Sequence, residues 1–152
     1  MVKNKIVITG GNGFVGSHLA NLIIRKEPSS SIFLIDKSHN NQISKIIVAN
    51  NNISLINIDM LKEGHKLTNF FREIKPNIIF NLASVTPQLD SPEYLMEKNV
   101  KITSSLIKSL SGIKIDKIIN LGTSEIYGDT AVPFSEDSHI NPISEYAKSK
   151  YI

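Results

Sequence analysis

The chain has 152 residues, of which 41% are hydrophobic and 20% charged, with a formal net charge of +3. That length builds one domain with a real core and is too short for two ordinary ones, and the composition excludes a disordered segment. Fifteen of the 17 basic residues are lysines scattered with no cluster longer than a pair, which excludes the concentrated basic face of a nucleic-acid binder. With no cysteine, disulfides, thiolate metal sites and cysteine nucleophiles are removed together, which fits a reducing, cytoplasmic setting. His18, His39, His65 and His139 show no metal-ligand spacing, so no metal is expected. The first residues lead into a strand rather than a signal peptide, and no apolar run approaches spanning length, so no membrane partner is expected.

KIVIT (5–9) reads as a buried strand, followed by a helix over 13–26 with Leu19, Leu22 and Ile23 on one face. SIFLID (31–36) is a second strand, 42–50 a short helix, and ISLINID (53–59) a third strand. HKLTNFFREI (65–74) has helical period, and NIIFNLA (77–83), introduced by Pro76, is a fourth strand. A long helix is expected over 92–111 and a fifth strand inside 114–122. A loop bracketed by Pro133 and Pro142 then leads to a helix starting near Ser144. Nearly continuous apolar strands imply a sheet covered on both faces, and helix-length connections imply right-handed parallel crossovers. The fold class is therefore α/β, a doubly wound parallel sheet.

Glycine is a poor helix former, yet four of them, Gly10, Gly11, Gly13 and Gly16, crowd the mouth of the first helix in TGGNGFVG. Gly11, Gly13 and Gly16 satisfy G-x-G-x-x-G, and Gly10, Gly13 and Gly16 satisfy the looser G-x-x-G-x-x-G. Either pattern lets a pyrophosphate approach the amides at the positive end of a helix. Asp36 lies 20 residues past Gly16 at the end of the second strand, where a carboxylate takes the adenosine ribose hydroxyls. It would repel a 2′-phosphate, which favours NAD over NADP; Lys37 beside it blunts that preference slightly.

YAKSK (146–150) places Tyr146 and Lys150 four apart on one helical face. A phenol ionises near roughly pH 10, so a phenol acting as a base near neutrality needs about 4 kcal/mol of preferential stabilisation of the phenolate. A neighbouring ammonium and an oxidised nicotinamide can supply it. With TGGNGFVG, the acid in LIDKS, INIDM, NLAS (81–84), the asparagine in EKNV and LGTSEIYGD (121–129), the sequence resembles the extended short-chain dehydrogenase/reductase family. Within that family it is similar to the NAD-dependent nucleotide-sugar epimerases and dehydratases.

The resemblance implies a Rossmann domain whose cofactor site takes Gly10, Gly13, Phe14, Val15 and Gly16 from the glycine loop. It adds Asp36 and Lys37, with Asp59 and Met60 flanking the adenine, and Leu82, Ala83 and Ser84 behind the fourth strand. Ser84 stands where alanine is more usual. Asn99 is the helix asparagine that organises the site, and Tyr146 and Lys150 also meet the cofactor. Thr123, Tyr146 and Lys150 take catalytic roles, with Tyr146 removing a proton from a sugar hydroxyl. Glu125 becomes a base for the carbon beside the new carbonyl. Dehydratases acting on dTDP-glucose usually carry an acid where this chain has Ser124, which counts against that subgroup.

Family members run on for roughly another domain beyond the position of Ile152, adding a C-terminal lobe that reads the nucleotide-sugar. The expectation is an N-terminal, incomplete NAD-binding domain over 1–152, with little turnover by itself. In the full-length form the resemblance implies a homodimer paired through the 92–111 helix and the terminal one. The alternative is a short dinucleotide-binding protein without catalysis, serving regulation or docking. Thr123, Tyr146 and Lys150 together favour the first, since a pure binder has no physical need of them. An NADP-dependent reductase of the same superfamily is disfavoured by Asp36.

Overall fold

The computed structural model describes residues 4–38, 50–87 and 91–151. Five strands, β1 (Lys5–Thr9), β2 (Ser31–Asp36), β3 (Ile53–Asn57), β4 (Ile78–Asn81) and β5 (Lys117–Asn120), form one sheet in the order β3-β2-β1-β4-β5. Every pairing is parallel, with Thr9 level with Ile35 and Asn81, and Asn81 level with Asn120. The doubly wound sheet read from the sequence is the one observed. The helices are α1 (Phe14–Lys26), α2 (Gly64–Ile74), α3 (Pro92–Ser109) and α4 (Glu145–Tyr151), with a 3-10 turn at Ser124–Tyr127. The helix expected over 42–50 lies almost wholly outside the described residues.

Because successive strand residues face opposite sides, the core divides in two. Val7, Ile35 and Ile79 point to the side of α2 and α3, where they meet Leu67, Phe71, Leu95, Ile102 and Leu106. Ile6, Ile8, Ile32, Leu34 and Ile53 point to the other side and meet Ala20 and Ile24 of α1. α2 packs on α3 and α3 on α4, so α4 hangs from the sheet through α3.

Several boundaries shift for identifiable reasons. β3 ends at Asn57 rather than residue 59: the Ile58 amide makes a last bond to β2, to the Asp36 carbonyl at 3.0 Å, and Asp59 then opens a turn whose carbonyl accepts the Lys62 and Glu63 amides. β4 ends at Asn81 rather than 83, because the amides of Leu82 and Ala83 both donate to the Thr9 hydroxyl instead of a strand ladder. α3 ends at Ser109, and the third-strand helix α2 starts one residue early, at Gly64. On α1 the inward face is Gly16, Ser17, Ala20 and Ile24, flanked by Leu19 and Ile23, whereas Leu22 is 51% exposed. The close seat of Gly16 on the strand–helix turn sets that rotation.

Candidate functional site

All five strands end in a polar residue: Thr9, Asp36, Asn57, Asn81 and Asn120. In a parallel sheet these ends share one rim, where the order reverses between β1 and β4 and a ligand crevice opens. Part of the rim is a buried chain of hydrogen bonds. Thr9 Oγ1 donates to Asn81 Oδ1 at 2.8 Å and accepts from the amides of Leu82 and Ala83 at 3.2 and 3.1 Å. Asn81 Nδ2 then donates to Asn120 Oδ1 at 2.8 Å. The three strand ends β1, β4 and β5 are thereby locked level.

The glycines at this rim have distinct jobs. Gly10 has φ +65°, and a Cβ there would stand 3.0 Å from the Ala83 nitrogen. A Cβ on Gly11 would lie 2.6 Å from the Leu34 Cβ, and one on Gly16 only 2.5 Å from the Gly10 carbonyl oxygen. These three are small because the protein's own backbone is against them. Gly13 differs: its sole close neighbour is the Gly10 oxygen, at 3.2 Å, and it faces the crevice as the N-cap of α1. The division of labour is that of G-x-x-G-x-x-G, with Gly10 making the turn, Gly13 the open face and Gly16 the helix–strand contact.

A cavity of about 690 Å³ spans the ends of β1 to β4 and is lined by Gly10, Gly13, Asp36, Lys37, Asp59, Met60, Leu82, Ala83 and Ser84, among others. Asp36 Oδ2 accepts the Asn12 amide at 3.2 Å, and Oδ1 accepts the Ser38 amide at 3.2 Å and its hydroxyl at 3.4 Å. The Asn12 side chain donates to the Ser38 carbonyl at 2.8 Å, so the glycine loop is latched to the end of β2 from both sides. Asp59 holds its own turn by accepting the Leu61 amide at 2.9 Å, while its amide donates to Glu63. The Lys66 ammonium first, and the Asp59 amide next, keep the Glu63 carboxyl below the ordinary carboxylate range.

A second cavity of about 400 Å³ shares Ala83 and Ser84 with the first and continues over β5. Asn99, Asn120, Ser149 and Lys150 line it. Burial holds the Lys150 ammonium below the ordinary lysine value of 10.5. The sign follows: the folded state binds this proton less tightly than the unfolded one, so charging Lys150 opposes folding at neutral pH. That cost fades as pH rises through the depressed folded value toward 10.5.

The remaining expected residues stand as follows. Phe14 and Val15 are exposed at the start of α1, and Gly16 is buried beneath them. Asn99 is buried, its amide bonded to Val85 and Ser149. Thr123 caps the 3-10 turn by accepting the Glu125 amide at 3.3 Å. Glu125 Oε2 accepts the Ser144 hydroxyl at 2.7 Å, and Ser144 Oγ in turn accepts the Ala147 amide at 3.0 Å, capping α4. This ties the turn to the helix that carries Tyr146 and Lys150. Of those two, Lys150 reaches the second cavity, while the Tyr146 ring leans on the main apolar cluster. Thr123, Glu125 and Tyr146 are not among the described residues lining either cavity. Asn12, Asn81, Asn120, Ser144 and Ser149 received no functional role from the sequence. A polar residue closing each apolar strand was the signal for Asn81 and Asn120, and a serine just ahead of a helical run was the signal for Ser144.

Among described residues no helix is long and apolar enough to cross a membrane, and no cluster could hold a metal ion. The chain is 29% identical to the dTDP-D-glucose 4,6-dehydratase of Dictyostelium discoideum, an alignment covering 96% of this chain and 38% of that protein. It is 31% identical to the UDP-N-acetyl-alpha-D-glucosaminuronate decarboxylase of Bacillus cytotoxicus, over 90% of this chain and 41% of that one. The crystal structure of UDP-glucuronic acid 4-epimerase from Bacillus cereus, in complex with UDP-glucuronic acid and NAD, superposes with a TM-score of 0.82 at 25% identity. That superposition covers 97% of this chain and 49% of the epimerase. The chain thus spans less than half the length of each of these relatives. The sequence model of the NAD dependent epimerase/dehydratase family matches residues 6–152, and the chain belongs to that family.

Proposed function

We propose that this chain is the dinucleotide-binding part of an NAD-dependent enzyme that oxidises a hydroxyl of a nucleotide-sugar to a transient keto-sugar. The observation that carries the reading is Gly13, which lines the crevice with only the Gly10 oxygen near the position of a Cβ, set beside a carboxylate at the end of β2. A pyrophosphate fits there because no Cβ intervenes and the first amides of α1 point outward. After accepting the Asn12 amide and the Ser38 amide and hydroxyl, Asp36 keeps about one lone-pair site open for a ribose hydroxyl, and a second opens if the long 3.4 Å bond from the Ser38 hydroxyl gives way. The cavities meet at Ala83 and Ser84, which gives an extended dinucleotide a path from β3 to β5.

NAD, when bound, supplies the hydride acceptor. Lys150 orients the nicotinamide ribose, Tyr146 removes the sugar hydroxyl proton as general base, and Thr123 holds the reacting oxygen. Glu125, held by Ser144, is the base for the carbon next to the carbonyl. The three relatives named above are an epimerase, a dehydratase and a decarboxylase, and the oxidised sugar is a chemical starting point from which each outcome can follow.

The test uses the chain itself. It contains no tryptophan, so NADH and NADPH binding is followed by calorimetry or by the cofactor's own emission. NADH is expected to bind more tightly than NADPH, and Asp36→Ala to weaken NADH about tenfold while narrowing the gap, each tenfold step being about 1.4 kcal/mol. Tighter binding of NADPH by the unmodified chain would overturn the reading.

A further inference from the structure

Between the two expected catalytic side chains of α4 sits a serine to which neither composition nor motif gave a role. Ser149 is 8% exposed, and its hydroxyl donates to the Tyr146 carbonyl at 2.7 Å while accepting from Asn99 Nδ2 at 2.9 Å. Asn99, 3% exposed on α3, gives its Nδ2 also to the Val85 carbonyl at 3.1 Å and takes the Val85 amide on Oδ1 at 2.7 Å. Val85 is itself buried, on the segment that leaves β4 past Ala83 and Ser84. A buried line of hydrogen bonds therefore runs from the segment behind β4, through α3, to the turn that carries Tyr146 and Lys150.

Local helix stability does not account for the serine. Alanine is the better helix former, and a hydroxyl bonded back to a carbonyl one turn earlier slightly weakens a helix. The described part of α4, Glu145–Tyr151, packs on α3, with Ala147 fully buried. Ser149 adds a buried polar tie from this helix to α3.

We propose that Ser149 is a positioning residue, hooking the Tyr146–Lys150 turn to Val85 through Asn99 and so holding Lys150 in the cavity over β5. The functional meaning of that placement rests on the reading of Lys150 as a cofactor contact; the hook itself does not. The charged groups around Lys150 are few. Lys108 of α3 lines the same cavity, Lys148 on α4 is paired with Glu145, and no carboxylate is among the described lining residues. The state of the Lys150 amine thus reports its burial.

Acetylation of each lysine by acetic anhydride, resolved by peptide mass spectrometry across a pH series, reads that state in the 152-residue chain. Lys150 is expected to label with a midpoint below those of exposed lysines. Ser149→Ala should move the midpoint up toward that of the exposed lysines and weaken NADH binding about tenfold, with Ser149→Thr, which keeps the hydroxyl, restoring both. If Ser149→Ala does not fold, Ser149→Cys keeps the volume with a weak donor and should shift the midpoint in the same direction. An unchanged Lys150 profile in folded Ser149→Ala or Ser149→Cys overturns the hook, as does a Ser149→Thr chain as impaired as Ser149→Ala. The catalytic reading fails separately: saturating NAD would then leave Lys150 labelling in the unmodified chain unslowed, while the midpoint shift in Ser149→Ala would still hold.

Discussion

β1 and β5 have similar sequences, KIVIT and KIIN, and opposite fates. In β1 every residue after Lys5 is buried, whereas in β5 only Ile119 is even half-buried and Ile118 is 42% exposed. β1 lies between β2 and β4, with α1 on one face and the α2–α3 layer on the other. Among the described residues β5 has one neighbour, β4, and lies at the edge of the sheet. Apolar strand sequence states what a strand is suited to bury, and position in the sheet decides what it does bury. The same contrast divides the crevice. Its β1–β3 end is made of tightly fitted backbone and a doubly latched loop, while its β5 end is held by side-chain hydrogen bonds among α3, α4 and the 3-10 turn.

Gly16→Ala attacks the tight half and should have a large effect. Its Cβ would have to displace backbone atoms at 2.5 and 2.8 Å, so a loss of about 3 kcal/mol in urea unfolding is expected. Retention of full stability would mean that the two halves differ less than the geometry says. Thr9→Val crosses from one half to the other. It removes the acceptor of two amides and the donor to Asn81, and should cost about 2 kcal/mol by the same measurement, with the carboxyl ends of β4 and β5 losing hydrogen-exchange protection first. Ile118→Ala belongs to the loose half and should cost less than about 1 kcal/mol, against about 2 to 5 for truncating a buried isoleucine such as Ile8. Equal costs at the two positions would erase the contrast between β1 and β5.

Strand identity, parallel topology and the glycine loop could be read from sequence because each rests on local physics: apolar runs, crossover lengths and residues that tolerate no side chain. Asp36 was legible for the same reason, as an acid closing a strand at a fixed distance from the loop. Where β4 stops was not legible, since it is ended by a partner distant in sequence, the Thr9 hydroxyl that takes the Leu82 and Ala83 amides. The outward turn of Leu22 was hidden likewise, because the Gly16 contact sets the rotation of α1 and hydrophobicity does not. Tyr146 and Lys150 could be picked out by type and spacing, and Thr123 and Glu125 only through the family resemblance. Their mutual placement depends on Ser144, Ser149 and Asn99, whose pairings join positions 19 and 50 apart in the chain.

On the proposed reading, the carboxylate at the end of β2 serves two masters. Because Asp36 grips the Asn12 amide, an edit meant only to change which adenosine ribose is accepted would also loosen the loop proposed to cradle the phosphates. Engineering toward a 2′-phosphorylated cofactor would therefore have to replace a brace as well as a recognition group. A workable design would supply a new acceptor for that amide alongside any added cation, and a lone charge reversal would trade selectivity for a slacker grip on every dinucleotide.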